Sequence, residues 1–163
     1  YGVGGGMMIG GIADDALRLY HGTQAARQFD VPGPIGGRPS FWTSDLEKAQ
    51  QYALDQSAGA RMGQVKSGGD PRYYEAAVAS AVDETPEISK QIRSMEDIYG
   101  LEPDEARLLW MQENGVDAMK TGNYVRTAED IRFGSPGEFR LSEHEYAVAN
   151  PEALSNVQRY PVR

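Results

Sequence analysis

Three segments of the first half of the chain predict strands, two from the alternation of apolar and polar positions and one from its aromatic residues. Residues 14–19 alternate only loosely, but Leu17 and Leu19 favour a short buried strand there. Residues 40–43 are aromatic and compatible with β structure. Residues 72–79 alternate regularly. The first half of the chain is therefore expected to supply three strands.

A helix is predicted directly after the second strand. Ser44 is expected to cap it, because Glu47 three residues later completes a capping box that contributes about 1 kcal/mol. Four positions recur at helical spacing and are expected to face the core: Leu46, Ala49, Tyr52 and Ala53. On this periodicity alone, Tyr52 is interpreted as a core residue with a satisfied hydroxyl group.

Two more helices and four short strands are predicted in the second half of the chain. Thr85 and Pro86 are a cap and a first-turn proline, and the helix that they begin ends at Gly100. Pro103 begins the next helix, which ends at Asn114. The strand candidates are residues 116–119, 124–125, 138–141 and 145–149. Strands, then helices, then strands predict an α+β fold and not a doubly wound sheet.

Three stretches are expected to connect these elements. Residues 24–29 predict a turn of helix. Residues 30–39 predict an irregular loop, because three prolines and three glycines disfavour regular structure there. Residues 57–71 are rich in glycine, serine and basic residues and predict a mobile loop.

The length of 163 residues predicts one domain with one core. Residues 1–13 are expected to be a glycine-rich linker from a larger protein, and residues 14–163 are expected to be the domain itself. The absence of cysteine excludes disulfides, thiolate-bound zinc and a cysteine nucleophile. No apolar run is long enough to predict a membrane span.

The net charge of −8 is concentrated in residues 83–105, where eight acidic residues stand against two basic ones. This distribution favours either a solvated helical face or a surface for a basic partner such as an inhibitor. An acidic domain is also a poor non-specific ligand for duplex nucleic acid, because phosphate binding needs clustered Lys and Arg.

Two histidines and two glutamates carry the candidate chemistry. His21 stands at the end of the first strand, in a His-Gly-Thr motif that is also compatible with an ordinary turn. Glu145 stands among apolar residues, where burying an unpaired charge is costly. Glu143 shares its strand face, so the pair predicts either acid–base division or a solvated edge. His144 is interpreted as structural. A metalloenzyme is not expected, because the sequence has no pair of histidines four residues apart.

Four motifs occur in a fixed order along the chain. They are Tyr20–Thr23, Phe41–Ser44, Ala49–Ala53 and Ser142–Tyr146. Together they resemble the His-Tyr-Glu (diphtheria-toxin-like) branch of the ADP-ribosyltransferases, including phage-borne and polymorphic-toxin members. The resemblance spans residues 17–155 and implies a split antiparallel β-sheet core with flanking helices.

The resemblance also implies a role for each matched residue. Glu145 corresponds to the catalytic glutamate, His21 to a ligand of an NAD ribose, and Gly22 to a backbone ligand of the nicotinamide carboxamide. Tyr52 corresponds to the tyrosine that stacks on the nicotinamide ring. Trp42 replaces a tyrosine of the family and is expected to keep an aromatic surface. Further NAD-binding positions implied by the resemblance are Tyr20, Thr23 and Thr43.

Further residues are candidates for contacts with the NAD pyrophosphate and with the acceptor. Arg27 and Arg38 are candidates for the pyrophosphate, because they lie between the two motif strands. Glu143 and Ser142 are expected on the acceptor side. A basic loop over residues 57–72 is also expected to face the acceptor. Its cations are Arg61, Lys66 and Arg72.

On this resemblance, the chain is expected to be a mono-ADP-ribosyltransferase toxin or effector domain with NAD as co-substrate and no metal. It would release nicotinamide and transfer ADP-ribose to a target macromolecule, protein or nucleic acid. An immunity or inhibitor protein is a second expected partner, and the target-cell cytoplasm is the expected place of action after secretion or injection. The alternatives are an NAD glycohydrolase and a catalytically silent NAD-binding or interaction module.

Overall fold

The computed structural model describes residues 16–25, 30–55 and 67–162, and the predicted linker at 1–13 lies outside them. Within these residues, seven strands form one mixed sheet in the spatial order β4-β5-β6-β2-β1-β3-β7. The strands are β1 (Leu17–Ala25), β2 (Ser40–Thr43), β3 (Ser67–Val78), β4 (Val82–Asp83), β5 (Ala118–Val125), β6 (Glu138–Val148) and β7 (Leu154–Pro161). β4 pairs with β5 in parallel, and the other neighbouring strands are antiparallel.

Four α-helices accompany the sheet in the described part of the chain. They are α1 (Leu46–Leu54), α2 (Pro86–Tyr99), α3 (Pro103–Glu113) and α4 (Ala128–Phe133), and a 3₁₀ turn (Pro151–Ala153) precedes β7. The sheet is largely antiparallel and the helices do not alternate regularly with its strands, so the α+β prediction is confirmed.

Two apolar clusters lie on opposite faces of the sheet. The first contains residues from six of the seven strands: Leu19, Trp42, Tyr74, Ala76, Val78, Ala118, Tyr146, Val148 and Leu154. The second joins α2 and α3 to the other face: Ile92, Ala106, Trp110, Met111, Met119 and Ala147. Ala147 belongs to the second cluster although its neighbours Tyr146 and Val148 belong to the first, because successive side chains of a strand point to opposite faces.

The acidic segment 83–105 contributes to this second cluster. It includes all of α2 and the first turn of α3, and Ile92 of α2 is buried in the cluster. Glu84 is 2% exposed and accepts a hydrogen bond from Arg107 Nε at 3.0 Å. The segment therefore combines a charged outer face with residues that the fold needs.

Helix α1 packs on β1 at Gly22. A Cβ atom at this position would overlap the backbone carbonyl of Ala49 and lie 3.0 Å from the backbone nitrogen of Ala53. Only glycine lets the two backbones come this close. The glycine of the His-Gly-Thr motif therefore has a packing role.

Several local predictions are corrected by the structure. The cap of α1 is Asp45 and not Ser44, because the Asp45 side chain accepts the Lys48 N–H. The turn of helix predicted at 24–29 is wrong at its start, since β1 continues to Ala25, and residues 26–29 lie outside the described residues. The two strands predicted at 138–149 are one strand, β6.

The predicted ends of α2 are confirmed. Thr85 caps the helix by accepting the Ile88 N–H, and Gly100 ends it in the left-handed conformation. Pro103 begins α3 as predicted, with Asn114 at its end. The loop at 30–39 is irregular, apart from one bridge between Ile35 and Arg38.

Candidate functional site

Three residues of the predicted site lie side by side across the centre of the sheet. Tyr20 on β1 is opposite Thr43 on β2, and Thr43 is opposite Glu145 on β6. Directly opposed residues of antiparallel strands point to the same face, with Cβ atoms about 4.5–5.5 Å apart. The sheet therefore places a phenol, a hydroxyl and a carboxylate in one row.

The sheet is nearly split where this row crosses from β1 to β2. Among the described residues, β1 and β2 are paired at one position, Tyr20 with Thr43, whereas β1 and β3 are paired along almost the whole of β1. Beyond this position, no further paired residues join β1 to β2 in the described part of the chain.

His21 reaches across this gap. Its Nδ1 lies 2.6 Å from the carbonyl oxygen of Phe41 on β2. A carbonyl only accepts, so Nδ1 carries the proton and Nε2 is the acceptor nitrogen of the neutral ring. Burial lowers the pKa of His21; the Phe41 carbonyl opposes this effect, and the positive charge of Arg72 adds to it. The imidazole is therefore neutral at pH 7, and its Nε2 has no hydrogen-bond partner among the described residues.

His21 does not share a face with Glu145. Its neighbour Tyr20 is in the row, so the His21 ring points to the other side of the sheet, where it contacts Trp42 and Tyr74 at 5.3 and 6.3 Å between ring centroids. Trp42 is 1% exposed, and its Nε1 donates to Ser40 Oγ at 3.0 Å. The aromatic surface predicted at Trp42 does not fit this burial, because the ring belongs to the core.

The Glu145 carboxylate is held by one neighbour. Thr121 on β5 donates its hydroxyl proton to Glu145 Oε1 at 2.7 Å, and Oε2 has no partner among the described residues. Ser142 Oγ donates to the Glu145 carbonyl at 2.9 Å and accepts the Glu145 N–H at 3.3 Å. Ser142, predicted on the acceptor side, therefore holds the glutamate backbone, and Thr121 is a site residue that the motifs did not indicate.

Tyr52 lies on the outside of α1. Its side chain is 56% exposed, so the prediction from periodicity that it faces the core is wrong. Leu46, at 36% exposed, also lies outside the core, whereas the prediction for Ala49 and Ala53 is confirmed because both are buried. The exposed ring is compatible with the stacking role that the resemblance implies.

The hydroxyl groups of Thr23 and Thr43 have local partners. Each accepts the backbone N–H two residues later, from Ala25 and Asp45 respectively, at 3.0 Å.

Burial and the nearby carboxylate of Glu75 raise the pKa of Tyr20, so its phenol stays protonated and can donate.

Of the cations predicted to contact the pyrophosphate or the acceptor, the structure describes Arg38 and Arg72. Arg38 forms the bridge with Ile35 at the end of the loop before β2, while Arg27 lies outside the described residues. Arg61 and Lys66 also lie outside them. β3 begins at Ser67, so residues 67–71 of the predicted loop belong to a strand. Arg72, the first residue of the predicted strand 72–79, is in β3 opposite Thr23 and is 4% exposed, which does not fit the predicted acceptor-facing loop.

The residues just before Glu145 face outward or pair locally. The Glu143 side chain is 88% exposed, and one of its oxygens lies 3.8 Å from His144 Nε2. His144 Nδ1 lies 2.9 Å from Ser44 Oγ. The interpretation of His144 as structural agrees with this contact between β6 and the start of α1.

The chain matches no family model, no curated protein and no solved structure in the comparisons made with it. Within the described ranges, no three or more His, Asp or Glu side chains are grouped so that they could hold a metal ion. None of the helices there combines the length and apolar character needed to cross a bilayer.

Proposed function

We propose that this chain is an NAD-dependent mono-ADP-ribosyltransferase domain that acts as a toxin or effector. The observation that carries the proposal is the row of Tyr20, Thr43 and Glu145 across β1, β2 and β6. Three motifs that are far apart in the sequence meet in this row. The near-split between β1 and β2 supports the finer fold proposal, a split-sheet ADP-ribosyltransferase core.

Glu145 would carry the main chemical effect. Breaking the bond between nicotinamide and ribose builds positive charge on the ribose, and a fixed carboxylate stabilises that charge. Oε1 accepts a hydrogen bond from Thr121, so Oε2 is the oxygen that can accept a hydrogen bond from a ribose hydroxyl. The carboxylate needs to be charged and fixed, and no covalent attack is required.

His21 and Tyr52 would orient the co-substrate. The neutral His21 ring offers Nε2 as an acceptor for a ribose hydroxyl, but from the face of the sheet opposite Glu145. Tyr52 offers an open ring for stacking on nicotinamide. The peptide segment 83–105, being acidic on its outer face, would be the surface for a basic inhibitor.

The test is nicotinamide release from NAD by the parent and by Glu145→Gln. Gln keeps an oxygen that can accept from Thr121, so the variant should retain its unfolding midpoint while release falls to background. Glu138→Gln is the matched control, because Glu138 is an exposed glutamate of the same strand. Equal release by the parent and Glu145→Gln would contradict the assignment.

Labelled NAD distinguishes transfer from hydrolysis. We expect label to remain on protein or RNA of a lysate after incubation with the parent but not with Glu145→Gln. Release of nicotinamide without retained label would favour the glycohydrolase. Binding of NAD without release would mean that the domain is a silent binding module.

A further inference from the structure

The strand that carries Glu145 is bulged directly beside it. Lys120 is opposite Tyr146, but the next paired residue of β5 after the irregularity, Gly122, is opposite Leu141. Residues 142–145 of β6 therefore face a single residue of β5, Thr121. Bulges of this kind re-aim side chains and are common next to active sites.

Thr121 is the only residue of β5 opposite the bulge, and the bulged residues of β6 enclose its side chain. Thr121 is 4% exposed. Its hydroxyl oxygen lies 2.7 Å from Glu145 Oε1, 3.3 Å from Ser142 Oγ and 3.5 Å from the Glu145 carbonyl. A hydroxyl has one proton to donate. The Thr121 hydroxyl donates it to Glu145 Oε1, because this contact is the shortest and the acceptor is a carboxylate.

The other contacts of the bulge fix the backbone and leave the carboxylate to Thr121. Ser142 Oγ binds both the N–H and the carbonyl of Glu145, which sets the direction of the side chain. A buried, β-branched threonine has few rotamers open to it, so its hydroxyl is held in place before any ligand arrives. One carboxylate oxygen is thus anchored, and the other remains available.

We propose that Thr121 is a positioning residue that holds Glu145 Oε1 so that Oε2 is presented to the ribose of the co-substrate. This inference rests on the proposed function for its catalytic part. It assigns a role to a position that lies in none of the four motifs. The hydrogen bond itself can be tested without any activity.

The first experiment compares kinetics of nicotinamide release for Thr121→Val and Thr121→Ser. Val has the shape of Thr but lacks the hydroxyl, so kcat should fall about 100-fold, the usual loss when a reacting group is misplaced, with little change in the KM for NAD. Ser keeps the hydroxyl and should restore most of kcat. A Thr121→Val enzyme with parental kcat, or a Ser variant as slow as Val, would overturn the proposal.

The second experiment is a double-mutant cycle on urea unfolding midpoints with Thr121→Val and Glu145→Ala. Ala removes the acceptor entirely, whereas Gln would keep one. We expect Thr121→Val to lower the midpoint of the parent more than that of Glu145→Ala. Strictly additive effects would show that the hydrogen bond is absent and would overturn the proposal.

The two experiments separate the two possible failures. If the parent releases no nicotinamide but the cycle shows coupling, the proposed function fails, and with it the catalytic role of Thr121. If the parent is active and Thr121→Val leaves kcat unchanged, the positioning role alone fails.

Discussion

Exposure separates Tyr52 from the other aromatic residues near the candidate site. Trp42 and Tyr74 are each 1% exposed and contribute to the core. Tyr52 is on the outer side of α1, with more than half of its side chain open to solvent. A ligand can reach this ring without any rearrangement of the core, so its substitution tests ligand contact with little effect on folding.

Tyr52→Ala should raise the KM for NAD more than Tyr52→Phe does. Phe keeps the stacking face, whereas Ala loses an interaction worth about 1–3 kcal/mol, or roughly 5-fold to 150-fold in KM. Tyr99→Ala is the matched control, since Tyr99 is a similarly exposed tyrosine at the end of α2. Equal KM values for the Phe and Ala variants would contradict the stacking role.

Residue identities could be predicted from the motifs, but their contacts could not. The row of Tyr20, Thr43 and Glu145 depends on strand registers that link positions far apart in the sequence. Thr121 reaches Glu145 because of the bulge, and no local pattern marks that irregularity. Arg72 continues the buried side of the alternation in β3, yet an arginine at such a position is usually exposed.

At the scale of elements, local signals explain which predictions were confirmed. The ends of α2 follow from cap residues that act within a few positions of the helix end. Helix α4 was not predicted because it has six residues and none of them is buried, so it has no apolar stripe. Strand β7 was missed because most of its side chains are exposed and its partner β3 is far away in the sequence.

Gly22→Ala should destabilise the protein by loosening the contact between α1 and β1. The added methyl group meets the backbone of Ala49, which has no rotamer that could move aside. Overpacking of this kind costs about 1–3 kcal/mol and sometimes more. The measurement is the free energy of unfolding in urea.

Gly36→Ala provides the control for this prediction. Gly36 has a positive φ of 62° and nothing near its Cβ direction, so Ala there adds backbone strain without a clash. We expect Gly22→Ala to be the more destabilising of the two, because its added methyl group is blocked by main chain. A smaller loss of unfolding free energy in Gly22→Ala than in Gly36→Ala would show that α1 does not pack closely on β1 at Gly22.

At the scale of the whole molecule, β6 connects the two apolar clusters. Tyr146 and Val148 belong to the first cluster, while Ala147 between them belongs to the second. The ion pair of the buried Glu84 with the partly buried Arg107 also ties α3 to the residue that follows β4. Removing Arg107 would leave the buried Glu84 charge unpaired, which is destabilising. Neither cluster can lose its packing without disturbing β6, which contributes residues to both.

This shared strand predicts a single cooperative unfolding transition. The chain has two tryptophans, Trp42 in the first cluster and Trp110 in the second, so each cluster has its own fluorescent reporter. In Trp42→Phe the remaining Trp110 reports on the helical layer, and in Trp110→Phe the remaining Trp42 reports on the other face. For each variant, we expect the fluorescence transition in urea to coincide with its own circular dichroism transition. If Trp110 fluorescence changed at a lower urea concentration than the circular dichroism, α2 and α3 would unfold separately from the sheet, and β6 would not couple the two layers.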